Sequence, residues 1–363
     1  MVQVEPQPKT ATTDAPRAAT VHRPSMVRRA VAWTADMGRY VMARGMFAVA
    51  DYLPRRASGA IAGTIAAAEC TLTRRGRALQ AEGRLVFGLS SRKSWQVARR
   101  TMLVPYLDLI DLRRISTRRD DLRTWKPEAV NDEAFRAMLT SGQPVLVAGG
   151  HFAFTPLVAT LHLTVPEIHG TAVAAPIEPF RWRGEVLLRR LTLGMIHSLA
   201  EVLRPGAAQI SYVGERDVQG EMLEELGKPG GVGFVMIDTD WRKPKAHVRP
   251  FCGIERAYFA VGAARIARLA QAPVFIVVPE RTGMRSARVH YYGPFTPPPK
   301  DDAASDRAFT DELLDELERC VGRFRENYPR PVGWSRRWDA PSERWVAAGG
   351  MRGAEAPGRG IED

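Results

Sequence analysis

Apolar positions along the chain change their spacing near residue 143, and this change predicts two structural parts. Residues 26–140 contain long stretches in which apolar and charged positions recur at helical spacing, whereas short apolar runs alternate with helical segments over 141–335. We therefore predict an α/β fold with a mostly parallel sheet flanked by helices, preceded by a helical front end. Residues 1–25, rich in Pro, Thr and Ala, predict a disordered tail, and 336–363 predict a C-terminal tail.

The predicted elements of the second part follow from apolar runs and helical periodicity. The predicted strands cover 145–148, 171–175, 232–237, 274–278 and 288–292. The predicted helices cover 156–165, 183–199, 221–226, 257–270 and a last amphipathic segment at 309–324.

The first predicted helix, residues 26–53, has charges that are too frequent for a membrane-spanning segment, which needs about 20 mainly apolar residues. Trp33, Tyr40 and Phe47 lie on its charged side, and aromatic rings beside arginines are typical of the headgroup zone of a bilayer. This pattern favours peripheral or monotopic contact with a membrane surface. A helix packed on the protein's own core is the alternative.

A histidine follows the first predicted strand of the second part. Gly149 and Gly150 end the apolar run, His151 comes next, and Thr155 is a candidate N-cap for the following helix. Open α/β folds bind ligands at the carboxyl ends of their strands, and a histidine can accept and return a proton near neutral pH. We predict His151 as a general base, with the two glycines allowing close approach of a substrate and Thr155 contributing to binding. A purely structural histidine is the alternative.

The chain is strongly basic, with 52 Lys and Arg against 40 Asp and Glu and a net charge of +12. Such a surface attracts anionic partners: nucleic acid, anionic lipid or phosphate-bearing substrates. Arg183, Arg242 and Arg249 belong to basic clusters near the predicted site and are candidates for contacting phosphates. No nucleic-acid-binding motif is recognisable, so we expect an anionic membrane surface rather than nucleic acid as the partner.

The three cysteines, Cys70, Cys252 and Cys320, are far apart in the sequence and odd in number. Their spacing predicts neither a disulfide framework nor a zinc site, which indicates a reducing compartment and no bound metal.

Four segments together carry a resemblance to a known family. They are the strand that ends at His151, the strand that ends in the turn Asp238 to Asp240, the segment 248–253, and the helix and strand over 262–281. In this order and spacing, the chain resembles the lysophospholipid acyltransferase superfamily, in particular the bacterial lipid A lauroyl/myristoyl acyltransferases. It is also similar to the phosphatidylinositol mannoside acyltransferases.

The resemblance implies a glycerolphosphate-acyltransferase-like fold and a reaction. A fatty acyl chain would move from a thioester, on coenzyme A or acyl carrier protein, to a membrane lipid or glycolipid, with His151 as the general base. Acyl-CoA or acyl carrier protein would be a co-substrate and partner, with no bound cofactor. The expected location is the cytoplasmic face of the bacterial inner membrane.

One departure from the family pattern concerns the acid that orients the histidine. The family has Asp or Glu after four intervening residues, where this chain has Pro156. Glu178, Asp238 and Asp240 are the candidate replacements, although the two aspartates are equally suited to capping a turn. A non-catalytic lipid-binding member of the same fold is therefore the alternative function.

Overall fold

The computed structural model describes residues 26–121, 124–153, 157, 170–174, 194–195, 198, 208–212, 217–239 and 246–347. For residues 26–36, 39, 170–174 and 208–212 it describes the backbone alone. The predicted helix at 156–165 and most of that at 183–199 lie outside the described residues.

The described helices alternate with strands in the second part of the chain, as predicted. The helices are α1 (Met26–Tyr52), α2 (Arg55–Leu72), α3 (Arg74–Leu85), α4 (Ser91–Ser116), α5 (Glu133–Thr140), α6 (Val218–Leu226), α7 (Gly262–Ala270) and α8 (Asp306–Arg323). The strands are β1 (Lys126–Val130), β2 (Val145–Gly149), β3 (Gly170–Ala174), β4 (Ala208–Tyr212), β5 (Val232–Met236), β6 (His247–Phe251), β7 (Ile254–Phe259), β8 (Val274–Arg281), β9 (Ser286–Phe295), β10 (Arg336–Asp339) and β11 (Arg344–Ala347).

Seven of these strands form one sheet in the order β1-β9-β8-β2-β5-β3-β4. Strands β8, β2, β5, β3 and β4 are mutually parallel, β9 is antiparallel to β8, and β1 is parallel to β9. Strand β2 lies inside the sheet and is buried along its whole length, as expected for a parallel strand covered on both faces. The prediction of an α/β fold with a mostly parallel sheet flanked by helices is confirmed.

The two faces of the sheet carry separate cores. One core includes Leu146, Ile276, Leu313 and Leu317 and lies under α6, α7 and α8. The other includes Phe135 of α5, whose ring lies 5.4 Å from that of Phe275, measured between centroids. Because successive residues of a strand point to opposite faces, β2 and β8 contribute to both cores.

Strands β1 and β7 lie where the sequence pattern predicted helical structure. Strand β1 lies within the predicted helical front end and adds an edge strand to the sheet beside β9. Strand β7 occupies the first residues of the predicted helix 257–270, which in fact begins at Gly262. Strands β6 and β7 pair as a hairpin whose turn includes Gly253 at φ +75°, a conformation that favours glycine.

The predicted C-terminal tail begins with a packed hairpin. Strands β10 and β11 pair antiparallel and bring Trp338 opposite Trp345, with their ring centroids 5.9 Å apart. Both indoles are buried against α8, where Gly322 leaves room for Trp338. The burial of two large aromatic side chains packs this segment against the rest of the fold.

The front end is a helical bundle with its own apolar core. Ala43, Met46 and Ala50 of α1 are buried in the bundle, and so is Phe47, one of the predicted membrane-facing aromatics. The second half of α1 therefore packs on the protein's own core, as the alternative interpretation held. No helix among the described residues is long and apolar enough to span a membrane.

Buried charges join the bundle to the sheet. Arg281, at the end of β8, bonds Asp108 at 2.8 Å and Asp111 at 2.7 Å, both on α4. Arg55 of α2 also pairs with Asp111, at 2.5 Å. Burial raises the pKa of Asp111 to about 6, although Arg281 and Arg55 act in the opposite direction. These contacts attach the front end to the sheet at the carboxyl end of β8.

Candidate active site

The register of two central strands brings a histidine and an aspartate together. In the parallel pair β2 and β5, Gly149 lies opposite Met236. The N–H of Ile237 extends the pairing by donating to the Gly149 carbonyl at 2.9 Å. His151 and Asp238 each come two residues after this matched pair, so the geometry of parallel strands places them side by side at the carboxyl edge of the sheet.

Asp238 holds His151 by two hydrogen bonds. His151 Nδ1 lies 2.5 Å from Asp238 Oδ1, and the His151 backbone N–H donates to Oδ2 at 2.9 Å. The hydroxyl of Tyr328 also donates to Oδ2, at 2.9 Å. The Asp238 side chain has no exposed surface, whereas 38% of the His151 side chain is exposed. The aspartate is thus enclosed, while the imidazole faces an accessible region.

The electrostatics keep Asp238 ionised. Burial by itself would raise the pKa of its carboxyl, but the charge and hydrogen bonds of His151 and the nearby Arg330 outweigh burial, and the net pKa is lowered. Burial and the carboxylate of Asp238 raise the pKa of Tyr328 well above its usual range. Tyr328 therefore stays protonated and remains a donor to a charged acceptor.

These contacts determine which imidazole nitrogen is available for chemistry. An ionised carboxylate only accepts hydrogen bonds, so the Nδ1 that faces Asp238 carries the proton. In the neutral ring Nε2 then has the lone pair. Arg330 Nη2, which can only donate, lies 3.0 Å from Nε2 and agrees with this assignment. His151 is therefore oriented with Nδ1 toward Asp238 and with Nε2, the nitrogen able to accept a proton, on the opposite side of the ring.

Gly149 and Gly150 serve packing in this structure. A Cβ on Gly149 would lie 3.2 Å from the Val277 carbonyl oxygen, so that glycine lets β2 and β8 approach closely. A Cβ on Gly150 would lie 3.3 Å from Asp238 Oδ2 and 3.1 Å from Leu317. Gly150 therefore leaves space for the carboxylate beside His151. Substrate approach to these glycines stays a prediction.

Most of the other predicted site residues have no described position. Asp240, Thr155, Arg183, Arg242 and Glu178 lie outside the described residues.

Arg249 is described, and it pairs with helix α8. It bonds Asp311 at 3.1 Å and Asp315 at 2.5 Å, and lies 3.6 Å from Glu318. These carboxylates compensate its charge at that position. Its described contacts therefore attach the β6–β7 hairpin to α8 and do not connect it to His151.

Two residues at the site were not predicted. Tyr328 and Arg330 come from the segment after α8 and contact Asp238 and His151. Helical or strand periodicity gives no signal for an irregular segment of this kind. The nearest sequence clue is that Pro329 and Pro331 flank Arg330, which indicates an extended segment between α8 and β10.

The segment that carries these two residues is held by the front end. Glu82 of α3 accepts hydrogen bonds from Arg325 Nε and, at 3.3 Å, from the Val332 N–H. Arg325 in turn donates to the Tyr328 carbonyl, and the Tyr328 ring lies 5.1 Å from that of Phe152. A buried carboxylate on one side and aromatic packing on the other thus fix the position of the segment.

The described residues contain no group of three or more His, Cys, Asp or Glu side chains that is able to hold a metal ion. All three cysteines are buried and free. No protein-family model matches the chain, and none of the curated proteins compared with it matches its sequence. A function for this protein is therefore inferred from its residues and the geometry of the site.

Proposed function

We propose that this protein is an acyltransferase that moves a fatty acyl chain from a thioester to a hydroxyl or amine of a membrane lipid or glycolipid. The observation that carries the proposal is the pair formed by His151 and a buried, ionised Asp238 at the carboxyl edge of a parallel sheet. The resemblance to the lysophospholipid acyltransferase superfamily selects this reaction among those that a histidine base can serve, and with it a glycerolphosphate-acyltransferase-like fold.

The pair supports one chemical sequence. His151 Nε2 takes the proton of the acceptor hydroxyl as its oxygen attacks the thioester carbonyl carbon. The C–O bond forms, and the negative charge moves to the carbonyl oxygen. When this intermediate collapses, the C–S bond breaks and the thiolate recovers the proton from Nε2. Asp238 holds the ring in one orientation and stabilises the imidazolium that exists between the two proton transfers.

The proposed reaction places the protein at a membrane, on the cytoplasmic face of the bacterial inner membrane. Its acceptor is a lipid, and its donor is acyl-CoA or acyl carrier protein. The net charge of +12 suits an anionic lipid surface. The exposed side of α1, described by Val41, Arg44, Ala48 and Tyr52 at helical spacing, supplies apolar and basic groups for contact.

The alternative of a non-catalytic lipid-binding protein depended on the absence of a carboxylate in the sequence next to His151. Asp238 supplies a carboxylate from the neighbouring strand, at 2.5 Å from Nδ1. No feature of the described residues now favours the alternative over the enzyme.

The test is transfer of a labelled acyl chain by the purified full-length protein. Acyl-CoA and acyl carrier protein thioesters are each supplied with vesicles that contain a phospholipid or a glycolipid acceptor. His151→Ala is expected to lower kcat about 10²- to 10⁴-fold, because it removes the general base. His247→Gln is the matched control, since His247 also bonds a carboxylate, that of Asp311, at 2.7 Å.

Labelled lipid from the wild type and from His247→Gln, but not from His151→Ala, would support the proposal. Equal background from all three proteins with every donor and acceptor would refute it.

A further inference from the structure

The guanidinium of Arg330 connects both members of the histidine–aspartate pair. Its Nη2 lies 3.0 Å from His151 Nε2, and its Nη1 donates to the Asp238 carbonyl oxygen at 2.6 Å. One side chain therefore contacts the nitrogen that would act as base and the backbone of the residue that orients it. Arg330 itself is partly exposed.

This arrangement blocks the base in the structure. Arginine only donates hydrogen bonds and stays charged, so Arg330 occupies the Nε2 lone pair that must accept the substrate proton. Asp238 is the charged group on the opposite side of the ring, with the protonated hydroxyl of Tyr328 behind it. Acyl transfer therefore requires that Arg330 leave Nε2.

The partners of Arg330 indicate what would move it. Among the described residues, the hydrogen-bonding partners of Arg330 are a carbonyl oxygen and an imidazole nitrogen, and the charge of the Asp238 carboxylate acts on the guanidinium without a direct ion pair. Arg325 on the same segment differs in this respect, because it forms a direct ion pair with Glu82. A partly exposed guanidinium that forms no direct ion pair with a described carboxylate is suited to an oxyanion, and its planar set of donors matches the geometry of phosphate.

We propose that Arg330 binds a phosphate group of the substrate and, by moving to it, uncovers Nε2 of His151. The base would then be available only when a phosphate-bearing substrate is in place. The consequence for acyl transfer rests on the proposed function, whereas phosphate binding and its effect on the imidazole do not.

Phosphate binding is tested first, without any acyl transfer. Calorimetric titration of the full-length protein with inorganic phosphate is compared among the wild type, Arg330→Gln, Arg330→Lys and Arg337→Gln. Loss of a charge-assisted contact is expected to weaken phosphate binding about tenfold or more in Arg330→Gln. Arg330→Lys is expected to be intermediate, because lysine keeps the charge without the planar donor set.

Arg337→Gln is the matched control, because it removes the same charge from an exposed position on β10. It is expected to leave phosphate binding unchanged. Equal weakening in Arg330→Gln and Arg337→Gln, or no weakening in Arg330→Gln, would overturn the proposal.

The link to the imidazole is tested by ¹⁵N NMR of histidine-labelled protein, with the His151 signals assigned by their loss in His151→Gln. Phosphate is expected to move the Nε2 resonance of the wild type toward its position in Arg330→Gln, where no guanidinium donates to it. The same addition is expected to leave Arg330→Gln unchanged. An Nε2 resonance of the wild type that does not move when phosphate is added would contradict the proposal.

The phosphate has two possible sources, the donor and the acceptor. Kinetics with acyl-CoA are compared with kinetics using an acyl-N-acetylcysteamine thioester, which lacks phosphate, and acceptors with and without a headgroup phosphate are compared in the same way. Arg330→Gln is expected to raise KM about tenfold for the phosphate-bearing partner. With the corresponding phosphate-free partner, it is expected to be as fast as the wild type or faster, because the base is uncovered.

If the KM effect disappears with the phosphate-free thioester, the donor supplies the phosphate; if it disappears with the phosphate-free acceptor, the lipid does. A defect that is the same with all four substrates indicates a structural role and overturns the proposal. Absence of transfer by the wild type in every arm would refute the proposed function, and the binding and NMR results would still decide the role of Arg330.

Discussion

His151 and Asp238 each lie two residues beyond Gly149 and Met236, which face each other in the adjacent parallel strands β2 and β5. The pair is therefore assembled by strand register and not by spacing within one loop. An acid from the next strand does not require a carboxylate in the segment that follows the histidine, where this chain has Pro156.

Asp238→Asn is expected to lower kcat for acyl transfer by about 10⁴-fold, by analogy with the loss of the orienting acid in serine proteases. An amide is isosteric with the carboxylate but cannot stabilise the imidazolium with a full charge. The measurement is the labelled-acyl assay with Asp311→Asn as the control, because Asp311 is the carboxylate partner of His247. Comparable activity of the two variants would contradict the role of Asp238.

The stability of the protein is expected to depend on Asp238 at low pH. The pKa of Asp238 is lowered in the folded protein, whereas that of an unfolded aspartate is about 3.9. Its contribution to stability is thus present above about pH 4 and is lost as the pH falls through the lower, folded value. Urea unfolding measures the free energy of unfolding of the wild type and of Asp238→Asn. The wild type is expected to lose its advantage over the variant as the pH falls through that range. A difference independent of pH would contradict this prediction.

Arg281→Met is expected to destabilise the protein by about 3–5 kcal/mol, because it removes the ion pairs to the half-buried Asp108 and the buried Asp111 and leaves the Asp111 carboxylate with Arg55. Arg288→Met, which breaks an exposed pair with Glu128, is the control and should have little effect. Urea unfolding measures both variants. Equal stability of the two would show that the buried charges do not hold the front end on the sheet.

The double variant Val41→Glu, Tyr52→Glu is expected to weaken binding to anionic phospholipid vesicles about tenfold or more. Both side chains are exposed on α1, at 61% and 83%, and carboxylates there would be repelled by anionic lipid. Vesicle flotation measures the effect, with Val248→Glu as the control because Val248 is also exposed, at 41%, but lies on β6. Equal loss of vesicle binding in the double variant and in Val248→Glu would contradict a specific role of α1 in membrane contact.

The central strands could be predicted from sequence because burial on both faces gives β2 and most of β8 continuous apolar runs, and β5 is also apolar throughout. Strand β7 was missed because the residues of 257–270 fit a helical period and the turn that separates strand from helix contains no proline. The edge strand β1 has few apolar residues, so a pattern of apolar positions does not reveal it.

Individual residues of the candidate site could be predicted from the sequence, but the contacts between them could not. A histidine and an aspartate at strand ends could be identified, but their contact depends on the order of strands in the sheet, and sequence alone does not give that order. Arg330 lies 179 residues from His151, and no local pattern connects the two. Side chains that come from irregular segments are placed by tertiary packing, in this case against Glu82 and Phe152.

The hydrogen bonds that Glu82 accepts from Arg325 and Val332 affect the order in which the parts of the site assemble during synthesis. Glu82 and Val332 are 250 residues apart, and the carboxylate of one holds the backbone of the other. A nascent chain on the ribosome contains the histidine and the aspartate long before the residues that contact them emerge. The contacts of Tyr328 and Arg330 with the His151–Asp238 pair should therefore form only after translation has passed residue 332, when Glu82 of α3 can bond the segment that carries them.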